Sequence, residues 1–157
     1  MKLLIDLQSV QGQSRTRGIG RYSMALAKSM TAEALKRSHD VKILLSSQFP
    51  DSVLQIREAF AGIISQQAIC IFSVPVDHAE VLVDNMWLTK AAELVREQYI
   101  ENLKPDFVHV TSLFDGFLDN SVISVHSSNL KIPTGVTLYD LIPLAKREMY
   151  LSDLRYK

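Results

Sequence analysis

The sequence predicts a single α/β domain in which a mostly parallel sheet is covered by helices on both faces. Three observations support this prediction. Segments with strand and helix patterns alternate along the chain, each strand segment is short and apolar throughout, and 157 residues suit one domain. Strands that are apolar at every position are typical of a sheet that is buried on both sides. We therefore expect a Rossmann-like domain of three layers over residues 1–157.

The composition limits the classes of function. The 17 basic and 17 acidic residues balance, so we expect no nucleic-acid partner. The single cysteine, Cys70, excludes an internal disulfide framework and a multi-cysteine metal site, and a reducing compartment is the default. No apolar run reaches the ~18–20 residues that span a bilayer, and Asp6 interrupts the apolar start too early for a signal peptide. We expect a cytoplasmic protein.

The first half of the chain has strand and helix patterns in alternation. Apolar runs predict strands over residues 3–7, 41–45 and 68–74. Between the first two, apolar residues recur every three or four positions from Gly18 to about Arg37, which predicts a long helix. A shorter helix is expected to open at Pro50. The segment between the first strand and the long helix, residues 8–17, is polar and is predicted to be a loop.

The second half continues the alternation. An apolar stripe predicts a helix from about Asp84 to Leu103, followed by a strand over residues 107–110. Residues 121–125 suit either a short strand or an extended segment, and residues 135–138 a further strand. The last residues, 144–157, have helical character.

The predicted sheet indicates where a ligand would bind. Doubly covered parallel sheets bind ligands beyond the carboxyl ends of their strands, near the point where the strand order reverses. The rule selects three places in this chain: the loop after the first strand, the segment after Val110 and the segment after Leu138.

The first place contains two glycines at the start of the long helix. Gly18 and Gly20 would let a phosphate approach the free N–H groups of the first turn, and Arg17 and Arg21 would add charge-assisted hydrogen bonds. The alternative is structural, with Gly18 relieving a tight turn and Gly20 packing on the sheet. A dinucleotide fingerprint is disfavoured because Ser23 replaces its third glycine, the preceding loop is long, and no acid follows the second strand.

The other two places contain polar side chains at strand ends. His109 lies within a strand and suits a hydrogen-bonded core residue as well as a ligand contact, whereas Asp115 and Gly116 form a turn whose carboxylate could bind sugar hydroxyls or cap the turn. Tyr139 and Asp140 would present a phenol and a carboxylate to the crevice, and Asp140 also suits an N-cap. No histidine pair has metal-ligand spacing, so we expect no metal.

The same three places carry a family resemblance. Residues 5–6 with 17–22, residues 105–110 with 113–116, and residues 136–144 resemble, in this order, motifs of the family 4 (group 1) retaining glycosyltransferases. The nearest members are mannosyltransferase-like enzymes of O-antigen and capsule assembly. The family has the GT-B architecture, in which two Rossmann-like domains face each other across the active site.

The resemblance implies roles for individual residues. In this family the N-terminal domain mainly holds the acceptor, and its glycine-rich loop reaches the donor diphosphate. The implied diphosphate contacts are Gly18, Gly20 and Arg21, and the implied acceptor contacts are Arg17, His109, Asp115 and Gly116. The candidate catalytic residues are Tyr139 and Asp140, although the family commonly has a histidine where Tyr139 stands, so a simple transfer of that role does not follow.

The resemblance also implies partners. The C-terminal, donor-binding half of the family has no counterpart in this sequence, so we expect an acceptor-side domain that does not turn over by itself. The whole enzyme would use a nucleotide-sugar donor, a glycan or lipid-linked glycan acceptor and no cofactor, in polysaccharide or lipopolysaccharide biosynthesis. The basic first helix suggests a peripheral contact with the inner face of the cell membrane. The alternatives are an NAD-linked Rossmann oxidoreductase domain and a non-catalytic binding module.

Overall fold

A computed structural model describes residues 1–125, 131–139, 141 and 145–150. Five parallel strands form one sheet in the order β3-β2-β1-β4-β5. The strands are β1 (Lys2–Asp6), β2 (Asp40–Ser46), β3 (Ile69–Phe72), β4 (Phe107–Val110) and β5 (Thr134–Val136). Both the α/β class and the parallel Rossmann-like sheet are thus confirmed.

Helices cover the two faces of this sheet. They are α1 (Gly18–Lys36), α2 (Pro50–Ala59), α3 (Met86–Leu103) and the short α4 (Arg147–Tyr150). Successive strand residues point to opposite faces. Leu3 and Ile5 accordingly pack in one core cluster with residues of α1 and α2, whereas Leu4 packs in a second cluster with Ala92 and Ile100 of α3.

Several predicted elements differ in extent. The loop over residues 8–17 contains two 3₁₀ turns, Gln8–Val10 and Gln13–Thr16, and α3 begins at Met86 after a further 3₁₀ turn. Residues 121–125 form no strand. There the Gln8 amide takes the place of a neighbouring strand, accepting from Val122 N and donating to Val122 O, each at 2.9 Å.

From β1 the chain proceeds to β2 and β3 on one side of the sheet, and it then crosses to β4 and β5 on the other side of β1. The strand order reverses here, and the crevice that results lies beyond the carboxyl ends of β1 and β4. The loop that follows Asp6, the segment that follows Val110 and the segment that follows Val136 all leave the sheet at this edge. The topology thus brings the three predicted places to one edge.

A buried ion pair fixes the end of β1. Arg96 of α3 donates to Oδ2 of Asp6 from Nε at 2.9 Å and from Nη2 at 2.5 Å, and both side chains are almost fully buried. Arg96 Nη1 also donates to the carbonyl and hydroxyl of Ser124, and Gln8 Nε2 lies 3.1 Å from both Asp6 oxygens. Every buried charge in this network therefore has partners, as burial requires.

Candidate functional site

A small cleft lies at the carboxyl edge of the sheet, between the start of α1 and the segment after β5. Its volume is about 390 Å³, near the lower end of the ~300–1,000 Å³ typical of small-molecule sites. We call it the Gly18 cleft; its lining residues are Gly18, Ile19, Tyr22, Thr137, Leu138 and Tyr139. The first and third predicted places are therefore parts of one site.

Gly18 is the first residue of α1 and is exposed in this cleft. A Cβ at this position would meet nothing within 4 Å, so the space beside the backbone is open. Arg17, the N-cap, makes no side-chain cap hydrogen bond, and the first turn contains no acid. A helix terminus of this kind offers N–H groups and a partial positive charge to an anion.

Two arginines flank this helix terminus. The side chains of Arg17 and Arg21 are exposed, and neither has a hydrogen-bond or ion-pair partner within the described ranges. Neither arginine is among the residues that line the Gly18 cleft, although arginine forms its strongest hydrogen bonds with phosphate or carboxylate oxygens.

Gly20, in contrast, is buried beneath the 3₁₀ turn Gln13–Thr16. A Cβ at Gly20 would lie 2.5 Å from the carbonyl oxygens of Ser14 and Arg15. The missing side chain thus lets the turn cross close over α1. Gly20 therefore packs against this 3₁₀ turn, whereas the structural alternative from the sequence placed it against the sheet.

The two glycines should respond differently to alanine. We expect Gly20→Ala to lower the free energy of unfolding by about 1–3 kcal/mol, because the new methyl group overpacks a backbone contact. Gly18→Ala adds the same methyl group in open space and is expected to leave stability unchanged or to raise it slightly. Urea unfolding of both variants measures the difference; equal midpoints would contradict this account of Gly20.

Tyr139 is held in the cleft by Ser23, for which the sequence predicts no role in the site. Ser23 of α1 donates to the carbonyl of Thr111 at 3.4 Å, and the Tyr139 hydroxyl lies 2.8 Å from the same Ser23 oxygen. A phenol is ordinarily protonated at neutral pH, and burial raises the pKa of Tyr139 further. The signal that could have indicated Ser23 is its helical spacing from Ile19, which places both on one face of α1.

His109 lies behind the wall of the cleft. Its Nε2 is 3.0 Å from the hydroxyl of Thr137, which lines the cleft, and the imidazole is half-buried. Burial lowers the pKa of His109 and favours the neutral ring. His109 thus reaches the site through Thr137.

The lowered pKa of His109 predicts a pH dependence of stability. Below the ordinary value of about 6.5 the unfolded chain binds a proton that the folded chain resists, so the free energy of unfolding should fall as the pH is lowered from 7.5 to 5. His109→Gln should remove this part of the slope, whereas His39→Gln, which also deletes one histidine, should keep it. Unfolding at several pH values measures both, and identical slopes for the two variants would refute the prediction.

Asp115 and Gly116 are not among the residues that line the cleft. Asp115 accepts a hydrogen bond from Ser14 at 3.3 Å, while its Oδ2 is buried without a partner in the described part of the chain. Burial raises the pKa of this carboxyl. Gly116 has φ +101°, and a Cβ there would lie 2.5 Å from the carbonyl of Ser121, so this turn requires glycine.

Three further predictions concern Asp140, a metal and a membrane-spanning helix. Asp140 lies outside the described residues. Among residues 1–125, 131–139, 141 and 145–150, no three acidic, histidine or cysteine side chains gather as they would around a metal. Over the same ranges, no helix is both long enough and apolar enough to cross a bilayer.

The fold and the site together define a Rossmann-like domain with an uncapped helix terminus in the cleft at its switch point. No protein-family model matches the chain. Over its whole length it is 33% identical to the serotype-specific mannosyltransferase WbdA of Escherichia coli, of which it covers 19%. Two further E. coli proteins of that name are 32% and 30% identical over 76% of the chain. The chain therefore spans about a fifth or less of these curated relatives, and the resemblance to mannosyltransferase-like group 1 glycosyltransferases is confirmed.

Proposed function

We propose that the chain is the acceptor-side, N-terminal domain of a retaining glycosyltransferase that uses a nucleotide-sugar donor to build a polysaccharide or lipopolysaccharide. One observation carries the proposal: α1 begins without a side-chain cap at Gly18, in an open cleft, in a chain similar over its whole length to part of a mannosyltransferase. The two parts of this observation are independent, since the first is geometric and the second rests on sequence.

The diphosphate of the donor would bind at the start of α1. Its negative charge grows when the bond to the sugar breaks, and fixed N–H dipoles aimed at a growing charge stabilise a transition state. Gly18 supplies the open approach to these N–H groups, and Arg21 and Arg17 supply nearby positive charge. Gly20 contributes indirectly, because its close packing keeps the turn above it in position.

Acceptor contacts would come from the polar groups around the cleft. Thr137, which lies against His109, and the phenol of Tyr139 both offer hydrogen bonds to sugar hydroxyls. A contact of the acceptor with Asp115 would require its turn to move, since Asp115 does not line the cleft and its Oδ2 is buried. Gly116 shapes the turn that carries Asp115.

The whole protein would supply the second domain, with the nucleotide pocket, since the matched relatives are about five times longer. We propose that this chain alone does not turn over and that no metal takes part. A membrane contact through α1 would depend on Lys28, together with Arg15 of the preceding 3₁₀ turn, because Glu33 pairs with Lys36 at 3.7 Å and with Arg37 at 2.8 Å.

Sugar transfer by the whole protein tests the proposal. The assay supplies a nucleoside diphosphate mannose and a mannoside acceptor, and the new glycosidic bond is analysed by NMR. We expect a product whose anomeric configuration equals that of the donor, and no product from residues 1–157 alone. Transfer with inversion would exclude a retaining enzyme, and the absence of transfer with any nucleoside diphosphate hexose would exclude the proposed function.

A further inference from the structure

Tyr22 is a large, exposed aromatic residue to which neither the fold nor the proposed diphosphate site gives a role. It lies in the second turn of α1, lines the Gly18 cleft and is 54% exposed. Burial in the core therefore does not account for it. Its position at the mouth of a small cleft makes a ligand contact the natural alternative.

The ring of Tyr22 is held by its neighbour. The Tyr22 and Tyr139 rings meet edge to face, with centroids 5.5 Å apart and planes at 89°, a favourable arrangement for aromatic pairs. Tyr139 is itself anchored through its hydroxyl to Ser23. The pair therefore forms an aromatic corner that exists before any ligand binds, which lowers the entropic cost of binding.

Open space lies beside Gly18, one helical turn before Tyr22. Residues 18 and 22 are neighbours on one face of the helix, and both line the Gly18 cleft. A Cβ at Gly18 would meet nothing within 4 Å. Four residues of helix correspond to about 6 Å, so the ring lies one helical turn from the proposed diphosphate position.

We propose that the Tyr22–Tyr139 corner binds a hexopyranose ring, with Tyr22 as the stacking wall. A pyranose has one apolar C–H face and a rim of hydroxyl groups. The face matches an aromatic ring, and the rim would meet the hydroxyls of Thr137 and Tyr139, which border the same cleft. The inference rests on the proposed function and adds to it a sugar subsite, which the donor or the acceptor sugar fills.

Kinetics of Tyr22 variants in the whole protein test this subsite. Tyr22→Leu is expected to raise KM for one sugar substrate about tenfold, in line with the loss of one aromatic stacking contact. Tyr22→Phe keeps the ring and should restore most of the affinity. Trp87→Leu, at a residue that is 68% exposed on α3 across the sheet, is the matched control and should leave KM unchanged. Thermal unfolding of each variant checks the fold.

The substrate whose KM changes identifies the source of the sugar. A rise for the acceptor alone assigns the subsite to the acceptor, and a rise for the donor, also seen in donor hydrolysis without acceptor, assigns it to the donor. Equal KM values for Tyr22→Leu and wild type would overturn the proposal.

A second measurement needs no turnover. Titration of the protein with methyl α-mannopyranoside should shift the NMR signals of the Tyr22 ring protons, and unchanged signals would overturn the subsite. If the whole protein transfers no sugar, the proposed function is wrong, but the titration still tests whether the Tyr22–Tyr139 corner binds a sugar.

Discussion

Replacement of Arg96 by methionine is expected to lower the free energy of unfolding by about 3–5 kcal/mol, the usual cost of removing one partner from a buried ion pair. Arg96 is the main counter-charge of Asp6, and both side chains are about 1% exposed. Without the guanidinium, the carboxylate stays buried, and Gln8 is its one remaining hydrogen-bond donor among the described residues. Ser124 also loses its contact, so the segment that approaches the end of β1 is released at the same time.

An exposed ion pair supplies the matched control. Arg37→Met deletes an arginine whose Nε lies 2.8 Å from Glu33 and is expected to cost at most about 1 kcal/mol, because both partners are in water. The double variant Asp6→Asn with Arg96→Met removes both buried charges and should regain part of the loss. Urea unfolding measures all three variants; similar costs for Arg96→Met and Arg37→Met would show that the buried network contributes little.

Gly18→Pro is expected to lower kcat/KM for sugar transfer by about 10²-fold, the typical effect of removing one N–H that stabilises a developing negative charge. Proline suits this position. It is favoured at the first residue of a helix, and the preceding residue, Arg17, is extended with φ −89° and ψ 179°, as proline requires. The substitution therefore deletes one N–H and leaves α1 intact.

Gly18→Ala is the comparison for this experiment, since it adds a side chain and keeps the N–H. The ratio of kcat/KM between the alanine and proline variants of the whole protein reports the contribution of the N–H, and thermal unfolding of both variants confirms that α1 is intact. A ratio near one would mean that the N–H at Gly18 does not bind the diphosphate, and the role of the helix terminus would have to be abandoned.

Much of the fold could be predicted because its signals are local. Apolar runs such as residues 41–45 and the stripe of α1 indicate their elements without reference to the rest of the chain. The buried Asp6–Arg96 pair could not be predicted this way. The two residues are 90 positions apart, and an arginine within a helix usually faces water.

The candidate site was predictable to a similar degree. The ends of parallel strands meet at one edge of a sheet, which predicts that Gly18 and Tyr139 lie at one site, and both line the cleft. Two contacts could not be predicted. The burial of Gly20 depends on the path of the loop before α1, and the hydrogen bond of Tyr139 joins it to Ser23, which is 116 positions away in the sequence. His109 and Asp115 do not line the cleft. His109 lies within β4 and contacts Thr137, whereas the position of Asp115 depends on the path of the loop after β4, which strand position alone does not determine.

The position of β1 at the centre of the sheet has a consequence for synthesis on the ribosome. Of the five strands of this sheet β1 emerges first, yet one of its neighbours, β4, ends only at Val110. A nascent chain that has completed β1, β2 and β3 therefore presents one apolar edge of β1 with unpaired backbone groups. Such an edge recruits other strands, so rapid emergence of α3 and β4, or a chaperone that covers the edge, would protect the newborn chain from aggregation.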